Sequence, residues 1–182
     1  ASARKGLDQL PGGNLHGTLE RISVAIDQGQ WREAGRIADK ALQMARETGG
    51  LDARTFLMPA AVAAWKQGDQ STALRHVQGA VRVPLDPLGS GGKPKADAED
   101  DAVLALAAGI LAVRLGEVKT AQRVIDQFPQ RQELLDIPVV SEFQTILRAE
   151  VLRPSGKPAE AIKLLLPLTT QGHEGFQARV AL

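Results

Sequence analysis

Apolar residues recur along this chain at the three- and four-residue steps of amphipathic helices, in pairs of segments separated by a glycine. The first pair shows the spacing most fully: Leu15, Leu19, Ile22 and Ile26 before Gly29, then Ala34, Ile37, Ala41, Leu42 and Ala45 after it. A glycine can adopt a left-handed backbone just past the C-terminus of a helix without steric cost. The pattern therefore predicts helical hairpins with a glycine at each elbow.

The same elbow phrase occurs four times, because each of these glycines is followed five residues later by an alanine. The four pairs are Gly29 and Ala34, Gly68 and Ala73, Gly116 and Ala121, and Gly156 and Ala161. Self-similarity at a period of a few tens of residues is typical of repeat proteins, in which each unit buries its apolar face against its neighbours. We therefore predict an all-α fold, a right-handed α-solenoid of about four antiparallel helix-turn-helix repeats.

We predict a flexible N-terminal segment and one repeat domain, which we expect to be a fragment of a longer protein. The boundaries are 1–14 for the segment, 15–182 for the domain, about 15–50, 51–84, 101–129 and 141–171 for its units, 84–100 for a mobile loop, and 174–182 for the start of a fifth helix pair. The predicted helices of units two to four span 56–66, 70–83, 102–115, 118 to about 128, 141–152 and 158–168.

Prolines and one capping pattern set several of these boundaries. We place Pro59 in the first turn of its helix and Pro158 at a helix start, where proline is tolerated. Ser141 with Gln144 matches a capping box, which predicts a helix beginning at Ser141. A turn of helix over 131–136 is expected to end at Pro138.

Composition supports a helical protein and gives little indication of its partner. Apolar residues make up 43% of the 182, aromatic residues only 3%, and Ala and Leu are strong helix formers. The net charge of +1 does not suggest nucleic acid or an anionic membrane as the main partner, and no apolar run is long enough to span a membrane. There are no cysteines, so the cytosol and the periplasm both remain open, with the cytosol favoured.

The residues that could perform chemistry do not converge in the sequence. His16, His76 and His173 lie in different units, so we interpret each as a surface or structural residue. The acids at 97 and 99–101 could hold a cation, but acids just before Ala102 also favour a helix N-terminus. The glycine-rich stretch 89–93 lacks the residues and the preceding strand of a phosphate loop. We expect no metal, no cofactor, no catalytic residue and no enzymatic activity.

The elbow phrase resembles the second half of a tetratricopeptide repeat, which reads roughly as glycine, a polar residue, an aromatic residue, two polar residues and alanine. Trp31 matches the aromatic position and Ala34 and Ala41 match two alanine positions; Ala73 and Ala80 match in unit two. Units three and four match less fully, with Phe128 at the second alanine position of unit three and Pro158 at the aromatic position of unit four; Gly109 alone matches the first-half glycine. The resemblance covers roughly residues 15–182, with a period longer than the family's.

In that family the first helix of each unit lines a concave surface that binds a partner, which implies a set of candidate binding residues here. They are Met58, Val62, Trp65, Lys66, Leu106, Ile110, Val113, Arg114, Ile146, Glu150 and Arg153. The Lys and Asn with which chaperone-docking members grip a terminal carboxylate are replaced by Met58, Val62, Leu106 and Ile110, so that clamp is absent. An apolar groove oriented by Lys66, Arg114 and Arg153 is one interpretation, and ordinary core packing is the other.

We therefore expect a protein-interaction scaffold or sensory module of a larger bacterial regulatory protein, with a peptide or partner domain bound on the concave face. The alternative is a small-molecule sensor with an apolar cleft near Trp65 and Leu106. A homodimer is an assembly state that the sequence leaves open.

Overall fold

The computed structural model describes residues 15–48, 53–83, 85, 98–129 and 131–168, and within them every regular element is a helix. The helices are α1 (Leu15–Asp27), α2 (Trp31–Thr48), α3 (Ala53–Lys66), α4 (Gln70–Arg82), α5 (Ala98–Arg114), α6 (Val118–Ile125), α7 (Gln132–Leu135), α8 (Pro138–Leu152) and α9 (Pro158–Leu165). The all-helical prediction is confirmed for these residues. The predicted segment 1–14, most of the loop 84–100 and the start of a fifth pair at 174–182 lie outside them.

All four elbow glycines have the left-handed backbone that the sequence predicted. Their φ angles are +67° at Gly29, +81° at Gly68, +85° at Gly116 and +76° at Gly156. Each glycine N–H donates to the carbonyl three residues earlier, and the next residue donates to the carbonyl five residues earlier at 2.8 to 3.0 Å. This pair of hydrogen bonds is the Schellman motif, which satisfies carbonyls at a helix C-terminus.

The residue after each glycine also begins the second helix of its hairpin. Its carbonyl accepts a hydrogen bond of 2.9 to 3.3 Å from the N–H of the phrase's alanine; the pairs are Gln30 with Ala34, Asp69 with Ala73, Glu117 with Ala121, and Lys157 with Ala161. These four alanines are at most 2% exposed. The phrase therefore ends one helix, starts the next, and provides a small buried side chain where the two helices meet.

Three predicted helix starts are wrong, and proline explains one of them. Helix α8 begins at Pro138, three residues before Ser141, whose N–H donates to the Ile137 carbonyl at 3.0 Å. A proline at the first helical position loses no hydrogen bond, and Ile137 before it has the extended backbone that proline favours. The capping box at Ser141 is thus absent, and Pro138 starts a helix as well as ending the turn α7.

The second wrong start is that of α3, which begins at Ala53, so that Pro59 lies inside the helix. An interior proline removes the hydrogen bond to the carbonyl four residues earlier, here that of Thr55. Helix α5 likewise starts earlier than predicted, at Ala98, so Glu99, Asp100 and Asp101 form its first turn. Helix α6 ends at Ile125. The N–H groups of Gln127 and Phe128 then donate to carbonyls three residues earlier, as in a 3₁₀ turn, and Pro129 follows.

The chain divides into two compact units, Ala1–His76 and Val77–Leu182, with the division inside α4. In the first unit α2 packs against both α1 and α3. Its core contains Ile22, Phe56 and buried alanines, and an added Cβ at Gly35 of α2 would lie 3.6 Å from the Ala63 Cβ of α3. Small residues at this contact let the two helices approach closely.

In the second unit α5 packs against α6 and α8, α8 packs against α9, and the short α7 lies against α5 and α8. The closest approach is at Gly109 of α5, where an added Cβ would lie 2.7 Å from Leu147 Cδ2 and 3.4 Å from the Val124 Cβ. A Cβ does not fit at 2.7 Å from another carbon unless a neighbour moves. The glycine that matches the family's first-half position is therefore needed for the contact between α5 and α8.

Candidate functional site

An open cleft of about 600 Å³ lies in the first unit beside the elbow of the first hairpin. It is lined by Gly29, Gln30, Trp31, Arg32, Glu33, Lys66 and Gln67. Trp31 starts α2, while Trp65 and Lys66 end α3. The Lys66 Nζ lies 4.8 Å from the ring centroid of Trp65 and 5.9 Å from that of Trp31. These distances are in the range of cation–π interactions, so both tryptophans of the chain contact one ammonium group.

Gln67 holds the two helix ends together at this cleft. Its Nε2 donates to the Trp31 carbonyl at 3.3 Å and to the Ala63 carbonyl at 3.0 Å. The first bond joins residues 36 apart in sequence, from the end of α3 to the start of α2. This hydrogen bond therefore fixes the start of α2, which carries Trp31, relative to the end of α3, which carries Trp65 and Lys66.

A second cleft of about 490 Å³ lies between α2, α3 and the part of α4 in the first unit. Its floor is formed by Ala60 and Ala64 of α3, and its walls are charged or polar: Arg32, Arg36, Asp39, Asp69, Thr72, Arg75 and His76. Glu33 binds Arg36 through two hydrogen bonds of 2.7 and 2.8 Å, which raise the pKa of that guanidinium. The pKa of Asp69 is lowered, because its carboxylate accepts hydrogen bonds from the Thr72 N–H and the Ser71 hydroxyl.

The second unit has an open cleft of about 700 Å³ between α6, α8 and α9. Its apolar residues are Ile125, Pro129, Val151, Leu152 and Leu164, and its polar residues are Gln122, Gln144, Arg148, Glu160 and Lys163. Glu160 is paired with Lys157 at 3.3 Å. Among the described residues, no carboxylate lies within 4 Å of Arg148 or Lys163. The cleft is thus apolar at its base and positive at its edge.

The structure brings together three of the predicted binding residues in the second unit. The Glu150 side chain is 5% exposed and accepts hydrogen bonds from Arg114 at 3.2 Å and from Arg153 at 3.3 Å. Both arginines lie at helix C-termini, where a positive charge is favourable. The cluster thus balances a buried carboxylate and two helix ends, and about half of the Arg153 side chain remains exposed.

The other predicted binding residues differ in exposure. Met58, Leu106 and Ile146 are buried, and Ile110 packs against a core cluster that contains Ile146 and Leu165. Val62, Trp65 and Val113 are half-buried, and Lys66 is exposed. A partner would therefore reach the basic residues and the half-buried side chains before any of the buried ones.

The described residues contain no group of three or more His, Asp or Glu side chains placed to hold a metal ion. His76 lies 3.7 Å from the Asp39 carboxylate. The side chain of His16, the whole of His173, Asp97 and the glycine-rich stretch 89–93 lie outside the described part of the molecule. None of the described helices is long and apolar enough to cross a membrane.

Two groups of cleft residues were missed from the sequence. The sequence indicates Trp31 only as the aromatic residue of the repeat phrase, and its pattern does not distinguish Arg148, Val151 or Lys163 from other surface residues. The repeat register contains a signal for Trp31, because the start of one second helix meets the end of the next first helix where hairpins stack. The edge of the second-unit cleft has no such signal, since exposed Arg and Lys are common on helix surfaces.

Comparison with models of protein families, with curated proteins and with solved structures gave no significant match to this chain.

Proposed function

We propose that this chain is a tetratricopeptide-like interaction module of a larger bacterial regulatory protein, and that it binds a peptide or partner domain. The observation that supports the proposal is the identity of the four elbows, in φ angle, hydrogen bonds and buried alanine. A backbone device repeated four times is expected of stacked repeat units, and a right-handed solenoid is the arrangement that such units favour. Repeat arrays of this kind present extended surfaces to protein partners.

The packing inside each unit supports the same proposal. Helix α2 of the first hairpin packs against α3 of the second, and α6 of the third hairpin lies against α8 of the fourth. Each pair thus joins the second helix of one hairpin to the first helix of the next, as nearest-neighbour stacking requires. These contacts bury much of the apolar surface of the described hairpins, while clefts remain between successive second helices.

The clefts favour a peptide over a small molecule. Sites for small molecules bury most of the surface of their ligand, whereas the clefts of about 700, 600 and 490 Å³ described here are open. Open grooves lined by mixed apolar and charged side chains suit an extended or helical peptide segment. In the first unit, the exposed Lys66 adds positive charge that would orient such a segment.

A selection from a displayed library of random dodecapeptides tests the proposal on the full chain. We expect enriched peptides that bind with micromolar Kd and stabilise the protein by mass action, by about 2.7 kcal/mol at a hundredfold excess over Kd. For a domain of this size that stabilisation raises Tm by roughly 5 to 11 °C. An unrelated helical protein carried through the same selection is the control.

The opposite result would favour the alternative function. No enrichment over the control protein, together with a small molecule that raises Tm in a thermal-shift screen, would replace the interaction module with a ligand sensor.

A further inference from the structure

We propose that the cleft lined by Trp31, Arg32 and Lys66, with Trp65 against the Lys66 ammonium, is a recognition site for an acidic segment of a partner protein. The inference rests on the proposed function and names a site and a partner chemistry for it. Trp31 and Arg32 were not among the residues that the sequence identified as binding candidates.

The first observation concerns the Lys66 ammonium, which the protein holds without neutralising it. Its Nζ lies over two indole rings, and among the described residues no carboxylate lies within 4 Å of it and no acceptor hydrogen-bonds to it. A lysine ammonium has three N–H donors, and an aromatic face satisfies none of them as a carboxylate oxygen would. The side chain is exposed, so those donors are available to a ligand.

The second observation is the charge of the cleft as a whole. Arg32 also lines it, is exposed, and makes no ion pair within the described part of the chain. Glu33 is the one acid among the lining residues, and it is already paired with Arg36 at 2.7 Å. Lys66 and Arg32 thus give the cleft two positive charges, while the negative charge of Glu33 is balanced by Arg36. The cleft is therefore complementary to a carboxylate.

The third observation concerns the contacts that hold the Lys66 side chain and join the ends of α2 and α3. The two indoles restrain the Lys66 side chain, and Gln67 fixes the end of α3 to the start of α2. A lysine that is already restrained loses less conformational entropy when it binds a carboxylate. The half-buried faces of Trp31 and Trp65 provide apolar surface beside the cation, which suits an acidic residue followed by an aliphatic one.

A segment of a protein fits this site better than a free anion does. A single carboxylate in water gains little from one exposed cation, whereas a peptide adds the contact with the indoles and a second charge opposite Arg32. The net charge of the chain is only +1, so the protein lacks the broad positive potential that would attract a polyanion.

The experiment is the dodecapeptide selection on the full chain, repeated on the variant Lys66→Gln with Arg32→Gln. We expect peptides enriched in Asp and Glu from the unaltered chain, and loss of that enrichment with the double variant. A selected acidic peptide is then titrated against each protein in low salt. Lys66→Gln should weaken its binding about two- to fivefold, because an ion pair with an exposed cation is lost.

The matched control is Lys163→Gln with Arg148→Gln, which removes the same charges from the cleft of the second unit. These substitutions should change the affinity by less than about twofold, because they remove the same charge without altering a residue of the proposed site. Both tryptophans lie at the proposed site, so their fluorescence reports binding directly. The single-tryptophan variants Trp31→Phe and Trp65→Phe should each still show an emission change.

Three results would overturn the inference. They are selected peptides without acidic enrichment, acidic peptides that bind the Lys66 and Arg32 double variant as tightly as the unaltered chain, and acidic peptides that are lost only with the Lys163 and Arg148 variant. In each of these cases peptides still bind and the interaction module survives. Failure to enrich any peptide at all would instead remove the proposed function.

Discussion

The cleft between α2, α3 and α4 in the first unit and the cleft between α6, α8 and α9 in the second lie at equivalent repeat positions but present different chemistry. Counted from the elbow glycines Gly68 and Gly156, the equivalent pairs are Ala60 with Arg148, Ala64 with Leu152, Thr72 with Glu160, Arg75 with Lys163, and His76 with Leu164. The first cleft has an alanine floor with charged walls, and the second has an apolar base with a positive edge.

The difference shows which features the repeat constrains. The elbow and its buried alanine recur in both units because hydrogen bonding and close helix packing allow little variation there. Most residues that line the clefts have no such constraint, since their side chains are half-buried or exposed. In a repeat protein these are the positions at which two units can acquire different partners.

The largest effect that we predict distinguishes the helix contact at Gly109 in the second unit from the helix contact at Gly35 in the first. Gly109→Ala should destabilise the protein by about 1 to 3 kcal/mol, because its new Cβ would lie 2.7 Å from Leu147 Cδ2. Gly35→Ala is the matched control in the first unit, since its Cβ would meet Ala63 at an ordinary 3.6 Å. There the better helix propensity of alanine should stabilise the protein by up to about 1 kcal/mol.

Urea unfolding of the two variants measures both effects. Equal changes in the free energy of unfolding for Gly109→Ala and Gly35→Ala would contradict the difference between the two helix contacts.

A smaller effect should be the same in both units. An alanine at any of the four elbow glycines would meet no other described atom within 4 Å, so the cost arises from the left-handed backbone alone. We expect each substitution Gly29→Ala, Gly68→Ala, Gly116→Ala and Gly156→Ala to cost about 1 kcal/mol. The measurement is the free energy of unfolding of each single variant. A spread of several kcal/mol among the four would show that the elbows are not equivalent in energy.

The smallest effect concerns the charged cleft of the first unit. The pKa of Asp69 is lowered in the folded protein by the hydrogen bond from the Thr72 N–H, so the ionised carboxylate stabilises the fold above its ordinary pKa of 3.8. This stabilisation is lost as the pH falls below 3.8 through the lowered value. We therefore expect Asp69→Ala to lower Tm at pH 7 and to have a diminishing effect under acidic conditions.

Thermal melts of Asp69→Ala and the unaltered chain across this pH range give the comparison. Gln30→Ala is a suitable control, because the equivalent residue of the first hairpin is uncharged. A Tm difference for Asp69→Ala that is independent of pH would indicate that the cap does not depend on the charge.

Local sequence predicted the helices and the elbows well, and failed where a boundary depends on more distant packing. The four glycines were recognised because a left-handed residue after a helix is a local requirement. The start of α3 and the interior position of Pro59 could not be predicted in this way. An interior proline destabilises a helix, and here the burial of neighbouring side chains such as Phe56 and Met58 in the core outweighs that cost.

The candidate site shows the same division. Trp65 and Lys66 were identified from the repeat register, and the contact of Lys66 with Trp31 was not, because it depends on how α2 and α3 pack. Glu150 was identified as a surface candidate, yet its carboxylate is buried between Arg114 and Arg153. Periodicity indicates which residues share a helix face, and it does not indicate what covers that face.

By itself, the sequence determined the hairpins, because the left-handed glycine and the buried alanine act within six residues of one another. Only the tertiary structure decided which side chains meet across those hairpins. The bond from Gln67 to Trp31 and the pair of Arg114 with Glu150 each join residues 36 apart. Contacts at that separation depend on the axial distance and rotation of packed helices, which small residues such as Gly35 and Gly109 set and which local propensity does not encode.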